Sequence, residues 1–169
     1  MAKQKVMDAF ANRAFVQVTM SALDTLTFEQ IRFGVGLFQG VALHLCRVEF
    51  FPDPTSLANM VAAADTMELA LTLRDDLADL DPSNQSIIAL KKCYCQGNST
   101  EISELPWTAD FSELPEGGLL IPANPLYIAM NSSGFGGAGS CRAIIYYRFK
   151  ELSDRESIEL LQTILPGNV

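Results

Sequence analysis

The chain has 169 residues, 49% of them hydrophobic and 19% charged, with a net charge of −8. That length fits one domain over residues 1–169, and the apolar share supplies a real core, which excludes a disordered chain. Lys and Arg form no cluster, which excludes a protein that grips nucleic acid by displacing phosphate counterions, and no D-x-[DN]-x-[DN]-G calcium loop occurs.

The N-terminal segment 1–12 begins "MAKQK", and no apolar run follows that basic start, so no secretory leader is expected. Within it, "KQKVMDAFA" suits a short helix. The longest apolar stretch, "FGVGLFQGVALHLC", is interrupted by Gln39 and His44 and falls short of the roughly 20 residues that a spanning helix needs. The expectation is a soluble chain without membrane insertion, made in a cytoplasm, with Cys46, Cys93, Cys95 and Cys141 as thiols.

From "RAFVQVTM" onward the hydrophobic period is 2: Phe15, Gln17 and Thr19 alternate with Val16, Val18 and Met20. "LTFEQIRFGVG" continues with Phe28, Ile31 and Phe33 apolar, and "VALHLCRVEFF" is a strand stopped by Pro52 and Pro54. "TSLANMVAAADTM" breaks the pattern, and Ala62–Ala64 favour a helical turn or a crossing loop. "ELALTLRD" and "SIIALKKCYCQ" are strands around the turn-rich "LADLDPSNQ". The irregular "GNSTEISELPWTADFSELPEGG" has room for one short strand. "LLIPANPLYIAM" and "CRAIIYYRFKEL" are the last strands. A helix over 153–165 closes the chain. Ser153 and Glu156 form an S-x-x-E capping box, Ile158, Leu161, Ile164 and Leu165 make an apolar stripe, and Pro166 and Gly167 end it. About eight antiparallel strands without alternating helices give an all-β reading, a sandwich or jelly roll rather than a doubly wound sheet.

Residues 134–139, "GFGGAG", place Gly134, Gly136 and Gly139 at the G-x-G-x-x-G spacing of a dinucleotide turn. That motif needs a helix next, because the helix N-terminus meets the pyrophosphate. Here Ile144, Ile145, Tyr146, Tyr147 and Phe149 follow, so the reading is strand, glycine loop, strand, as in a hairpin with a mobile tip. "GVGLFQG" at 34–40 fails the same test. His44 and Cys46 are two apart in one strand, Cys93 and Cys95 in another. If those strands were neighbours, four N/S ligands would suit tetrahedral zinc; otherwise the cysteines are buried thiols. The lone His44 sits among apolar residues and reads as a packed core or edge residue. Asp75, Asp76, Asp79 and Asp81 read as a solvated turn, and Trp107 as an anchor of its loop on the core. No residue set spells out a reaction, so no catalytic, cofactor or metal residue is assigned and the chain is not expected to be an enzyme.

"GGLLIPANPLYIAMNSSG", a glycine loop and "RAIIYYRFKELSDRESIELL" give two late strands and a capped helix, and upstream "LHLCRVEFFPDP" is an early strand ending in a proline turn. This pattern resembles the single jelly-roll capsid proteins of tailless icosahedral viruses, especially the small major capsid proteins of membrane-containing bacterial and archaeal viruses. The resemblance implies a virion structural protein that self-assembles with its own copies, in some shells beside a second capsid protein. The basic genome-binding arm of many small RNA virus capsid proteins is missing, so no direct nucleic-acid contact is expected. A second reading of the same strands is a small β-barrel that binds a ligand or carbohydrate, cupin-like or lectin-like. A third is a trimeric fibre or tail module.

Overall fold

The computed structural model describes residues 12–33, 40–62, 64–95, 106–122 and 125–164. The described part of the N-terminal segment is Asn12. The rest of it, the helix expected at 3–11, residues 34–39 of the first glycine run, and residues 165–167 at the end of the last helix lie outside the described residues.

Among the described residues nine strands form two sheets: β1 (Asn12–Thr19), β2 (Thr27–Ile31), β3 (Val41–Pro52), β4 (Thr66–Thr72), β5 (Ile87–Tyr94), β6 (Trp107–Asp110), β7 (Leu119–Pro122), β8 (Leu126–Ser133) and β9 (Ser140–Glu151). One sheet has the order β1-β9-β3-β6, with β7 also on β3; the other has the order β2-β8-β4-β5. All pairings are antiparallel. The order interleaves early and late strands in each sheet, which is the winding of a jelly roll. The all-β jelly-roll expectation holds, with β6 and β7 as two pieces of one strand position beside β3.

Alternation along each strand sends one set of side chains into the space between the sheets. Val18, Leu43, Leu45, Val48, Phe50, Ala143 and Ile145 come from the first sheet. Met67, Leu69, Leu71, Leu126, Ile128 and Met130 meet them from the second, and nearly all are fully buried. Each large side chain so buried contributes about 1.5–3 kcal/mol. The predicted alternation in β1 is present: Val16 and Val18 face inward, while Phe15, Gln17 and Thr19 are exposed.

β3 carries a bulge between Leu45 and Arg47. Before it the strand pairs with β7, and after it with β6. The extra residue, Cys46, spends its carbonyl on the Phe111 N–H at 2.9 Å. The segment 111–118 therefore leaves the sheet between β6 and β7 and lies over its outer face. Gly118 touches that face so closely that a Cβ there would stand 2.7 Å from the Leu45 carbonyl and 2.8 Å from His44 Nε2.

Two helices were expected in part. Of the helical turn or crossing loop expected at Ala62–Ala64, Ala62 and Ala64 are not helical, and a helix comes earlier, as α1 (Pro54–Ala58), because Asp53 caps the Thr55 N–H and Pro54 opens the first turn. Ala64 instead has φ +80°. α2 (Asp154–Ile164) has the predicted capping box: Ser153 N–H donates to Glu156 Oε2 at 2.8 Å, and Glu156 N–H to Ser153 Oγ at 3.4 Å. Ile158 of the expected stripe is exposed. Among the described residues no helix is long and apolar enough to cross a membrane.

Candidate functional site

The glycine loop 134–139 joins β8 of one sheet to β9 of the other. It is a corner between sheets and not the expected hairpin, because β8 pairs with β2 and β4 while β9 pairs with β1 and β3. A strand follows the glycines, so the helix N-terminus of a dinucleotide cradle is not there. The loop is stitched down on both flanks. The Asp24 carboxylate accepts from the Ser132 hydroxyl at 3.0 Å, the Gly134 N–H at 3.1 Å and the Phe135 N–H at 3.2 Å. Burial pushes the Asp24 carboxyl up, and those donors together outweigh it and hold it below its ordinary value. Asn59 donates its amide to the Gly137 carbonyl and accepts from the Gly136 N–H, and Ser56 Oγ is bonded to both the N–H and the carbonyl of Ser140. Gly134 has φ +82°, and a Cβ on it would run into the carboxylate of Asp65.

The four ligands of the conditional zinc site are not brought together. His44 and Cys46 lie on β3 in one sheet, and Cys93 and Cys95 on or beside β5 in the other. Among the described residues no group of His, Cys, Asp and Glu is placed to hold a metal ion. Cys95 is buried and donates to the Met60 carbonyl at 3.7 Å; Cys46 and Cys93 are half-buried. Cys141 is fully buried, and burial pushes its thiol up to about 12. At about pH 8, Cys141 is expected to resist a maleimide until denaturant is added. Mass mapping of the native and unfolded protein checks this; native labelling at Cys141 would contradict its burial.

His44 is buried, as expected, but on the outer face of its sheet, under Gly118. Among the described residues neither ring nitrogen has a hydrogen-bond partner. Burial lowers its pKa, and the cations Lys150 and Arg148 lower it further. The ring is therefore neutral at pH 7. Lys150 is buried beside it and is ion-paired to Glu116 in the covering segment.

Where the bulge and the covering segment diverge they leave a cleft of about 300 Å³, lined by Cys46, Arg47, Asp110, Tyr146 and Arg148 among others. The Arg47 guanidinium lies 4.4 Å above the Tyr146 ring, and the Tyr146 hydroxyl donates to Glu49 at 3.0 Å. The Arg148 Nε is buried at the cleft without a hydrogen-bond partner among the described residues. Sequence reasoning missed this cleft. Its residues are spread over three strands and a loop, and only the i, i+2 spacing of Tyr146 and Arg148 hints that they share a face.

The acidic cluster is exposed, as expected, but is more than a turn. Asp75, Asp76, Asp79 and Asp81 ride on a strap over residues 73–86. Leu77 and Leu80 of that strap pack on Ala70, Ala129, Ile87 and Leu90, the outer face of the second sheet. Trp107 is half-buried and packs against the main core, in line with its predicted anchoring role.

No family model matches the sequence, and no curated protein matches it. Solved structures do. VP1 of the Trichodysplasia spinulosa-associated polyomavirus superposes with a TM-score of 0.57 at 9% identity, over 89% of this chain and 98% of that one. A chain of tomato aspermy virus matches with a TM-score of 0.44 at 13% identity, over 85% of this chain and 80% of that one. These neighbours are viral capsid proteins. At 9% identity the likeness to VP1 establishes the fold alone.

Proposed function

We propose that this chain is a structural subunit of a virus particle, a single jelly-roll capsid protein of a tailless icosahedral shell that assembles with copies of itself and carries no catalytic role. The carrying observation is the match to polyomavirus VP1 over 98% of that chain. The superposition, with a TM-score of 0.57, leaves no large part of the neighbour uncovered. The outer surfaces support the reading. Phe15 is 70% exposed on the face of its sheet beside Ile144, and Tyr94 and Ile158 are exposed on other elements. Aromatic side chains such as Phe15 are enriched among the anchors of protein–protein contacts. With a net charge of −8, assembly would run through protein contacts and not through the genome.

Mass photometry and negative-stain electron microscopy of the purified chain across a concentration series test the proposal. Discrete oligomers or shells are expected. A monomer at every concentration and ionic strength would remove the capsid reading, and a melting shift on adding a glycan would then favour the ligand-binding barrel.

A further inference from the structure

We infer that the assembling contact is head-to-tail: the outer face of the β1-β9-β3 sheet of one copy receives the acidic strap over 73–86 of the next. This inference rests on the capsid reading above and names the surfaces it would use. On the first surface the register places Arg13, Tyr146 and Arg47 in one row, Phe15, Ile144 and Glu49 in the next, and Gln17, Arg142 and Phe51 in a third. Arg148 continues the face toward the cleft. The acids there are already engaged: Glu49 by Arg47 at 3.2 Å and by Tyr146, Asp110 by the Ser112 N–H at 2.8 Å, and Asp53, near Arg142, by the Thr55 N–H at 3.0 Å and hydroxyl at 2.7 Å. Arg13 and Arg142 are exposed, and Arg148 keeps a buried Nε without an acceptor among the described residues. A cationic face with an apolar side chain at its centre is thus presented by a chain that is strongly acidic as a whole.

The complementary surface lies on the opposite sheet. Asp75, Asp76, Asp79 and Asp81 are all exposed on the strap, and its one cation, Arg74, is held by Asp76 through two bonds of 2.8 and 2.6 Å. Leu77 and Leu80 fasten the strap to its own sheet, so its carboxylates are offered on a fixed support. Opposite charges on opposite sheets cannot meet within one chain. They meet between copies, as a heterologous contact that repeats from one subunit to the next and closes if the rotation permits. Charge complementarity of this kind sets register and partner choice.

The test uses two full-length variants. One carries Arg13→Glu and Arg142→Glu, the other Asp75→Lys and Asp79→Lys; thermal melting first establishes that each folds. Each variant alone is expected to associate at least about tenfold more weakly than the wild type, because like charges then face each other. An equimolar mixture is expected to recover association, since the reversed face then meets the reversed strap. Wild-type association is expected to weaken as salt rises from about 0.1 M, where screening is modest, to higher ionic strength. If either variant assembles like the wild type, or the mixture recovers nothing, this contact is overturned while the capsid reading stands. If the wild type never associates, both fall. A neutral pair, Arg13→Gln with Arg142→Gln, gives an intermediate loss on this scheme and serves if the charge-reversed face fails to fold.

Discussion

Valine at Gly134 is expected to cost roughly 3–5 kcal/mol of stability, whereas alanine at Gly136 is expected to stay within about 0.5 kcal/mol. Gly134 has φ +82°, a region that β-branched residues avoid, and its added carbon would meet the Asp65 carboxylate. That carboxylate is buried and accepts the N–H groups of Val61 at 2.9 Å and Ala62 at 2.8 Å, so it cannot step aside without leaving donors unpaired. At Gly136 a Cβ meets nothing within 4 Å. Gly139 falls between, with its Cβ 2.7 Å from the mobile tip of Met130 and 3.0 Å from Ser56 Oγ. Urea unfolding of the three variants checks the order. Equal losses at Gly134 and Gly136 would mean that the Asp65 packing is not what requires glycine.

Glu116→Gln is expected to cost about 1–2 kcal/mol, between an exposed pair and a fully buried one, because only the lysine end is out of water. The Lys150 side chain is 6% exposed and that of Glu116 65%. Adding Lys150→Met to the glutamine variant is expected to recover much of the loss, since the stranded cation is then gone. Acid acts on the same segment in two stages. The Glu116 carboxyl is held below its ordinary value by its hydrogen bond to Lys150 and the attached positive charge. Its contribution is therefore complete above the ordinary glutamate range and is lost as pH falls through the lower folded value. His44 is also depressed, chiefly by burial. The unfolded chain takes that proton first, so stability already declines as pH drops below the ordinary histidine value of about 6.5. Urea midpoints measured from about pH 8 downward should show both stages in the wild type. His44→Phe should abolish the upper stage alone. An unchanged upper stage in that variant would show that His44 is not its source.

Local signals made much of the sandwich legible. The β-branched and aromatic run from Ile144 to Phe149, the prolines after Phe51 and the Ser153–Glu156 box each state their element within a few residues. What stayed hidden depends on partners far along the chain. "LLIPANPLYIAM" looks like one strand, yet residues 119–122 serve one sheet and residues 126–133 the other, with Pro122 and Pro125 at the change. The strap around Leu77 and Leu80 looks like a turn, because its support is the outer face of β4 and β8 rather than anything nearby. The burial of His44 is decided by Gly118, and the glycine loop by Asp24, some 110 residues earlier. The cleft at Arg47, Tyr146 and Arg148 exists only once the β3 bulge has expelled the covering segment, and a one-residue bulge leaves no mark on a hydrophobic pattern.

β9 is the hinge of assembly in time as well as in space. It pairs along its length with β1, made near the start of the described chain, and with β3, and it is the last strand of the order. During translation β1, and the edge of β3 away from β6 and β7, must therefore wait until residues 140–151 leave the ribosome. Such high contact order makes for slow closure and a window of exposure to aggregation or chaperone capture. The first sheet is therefore complete only after synthesis of β9.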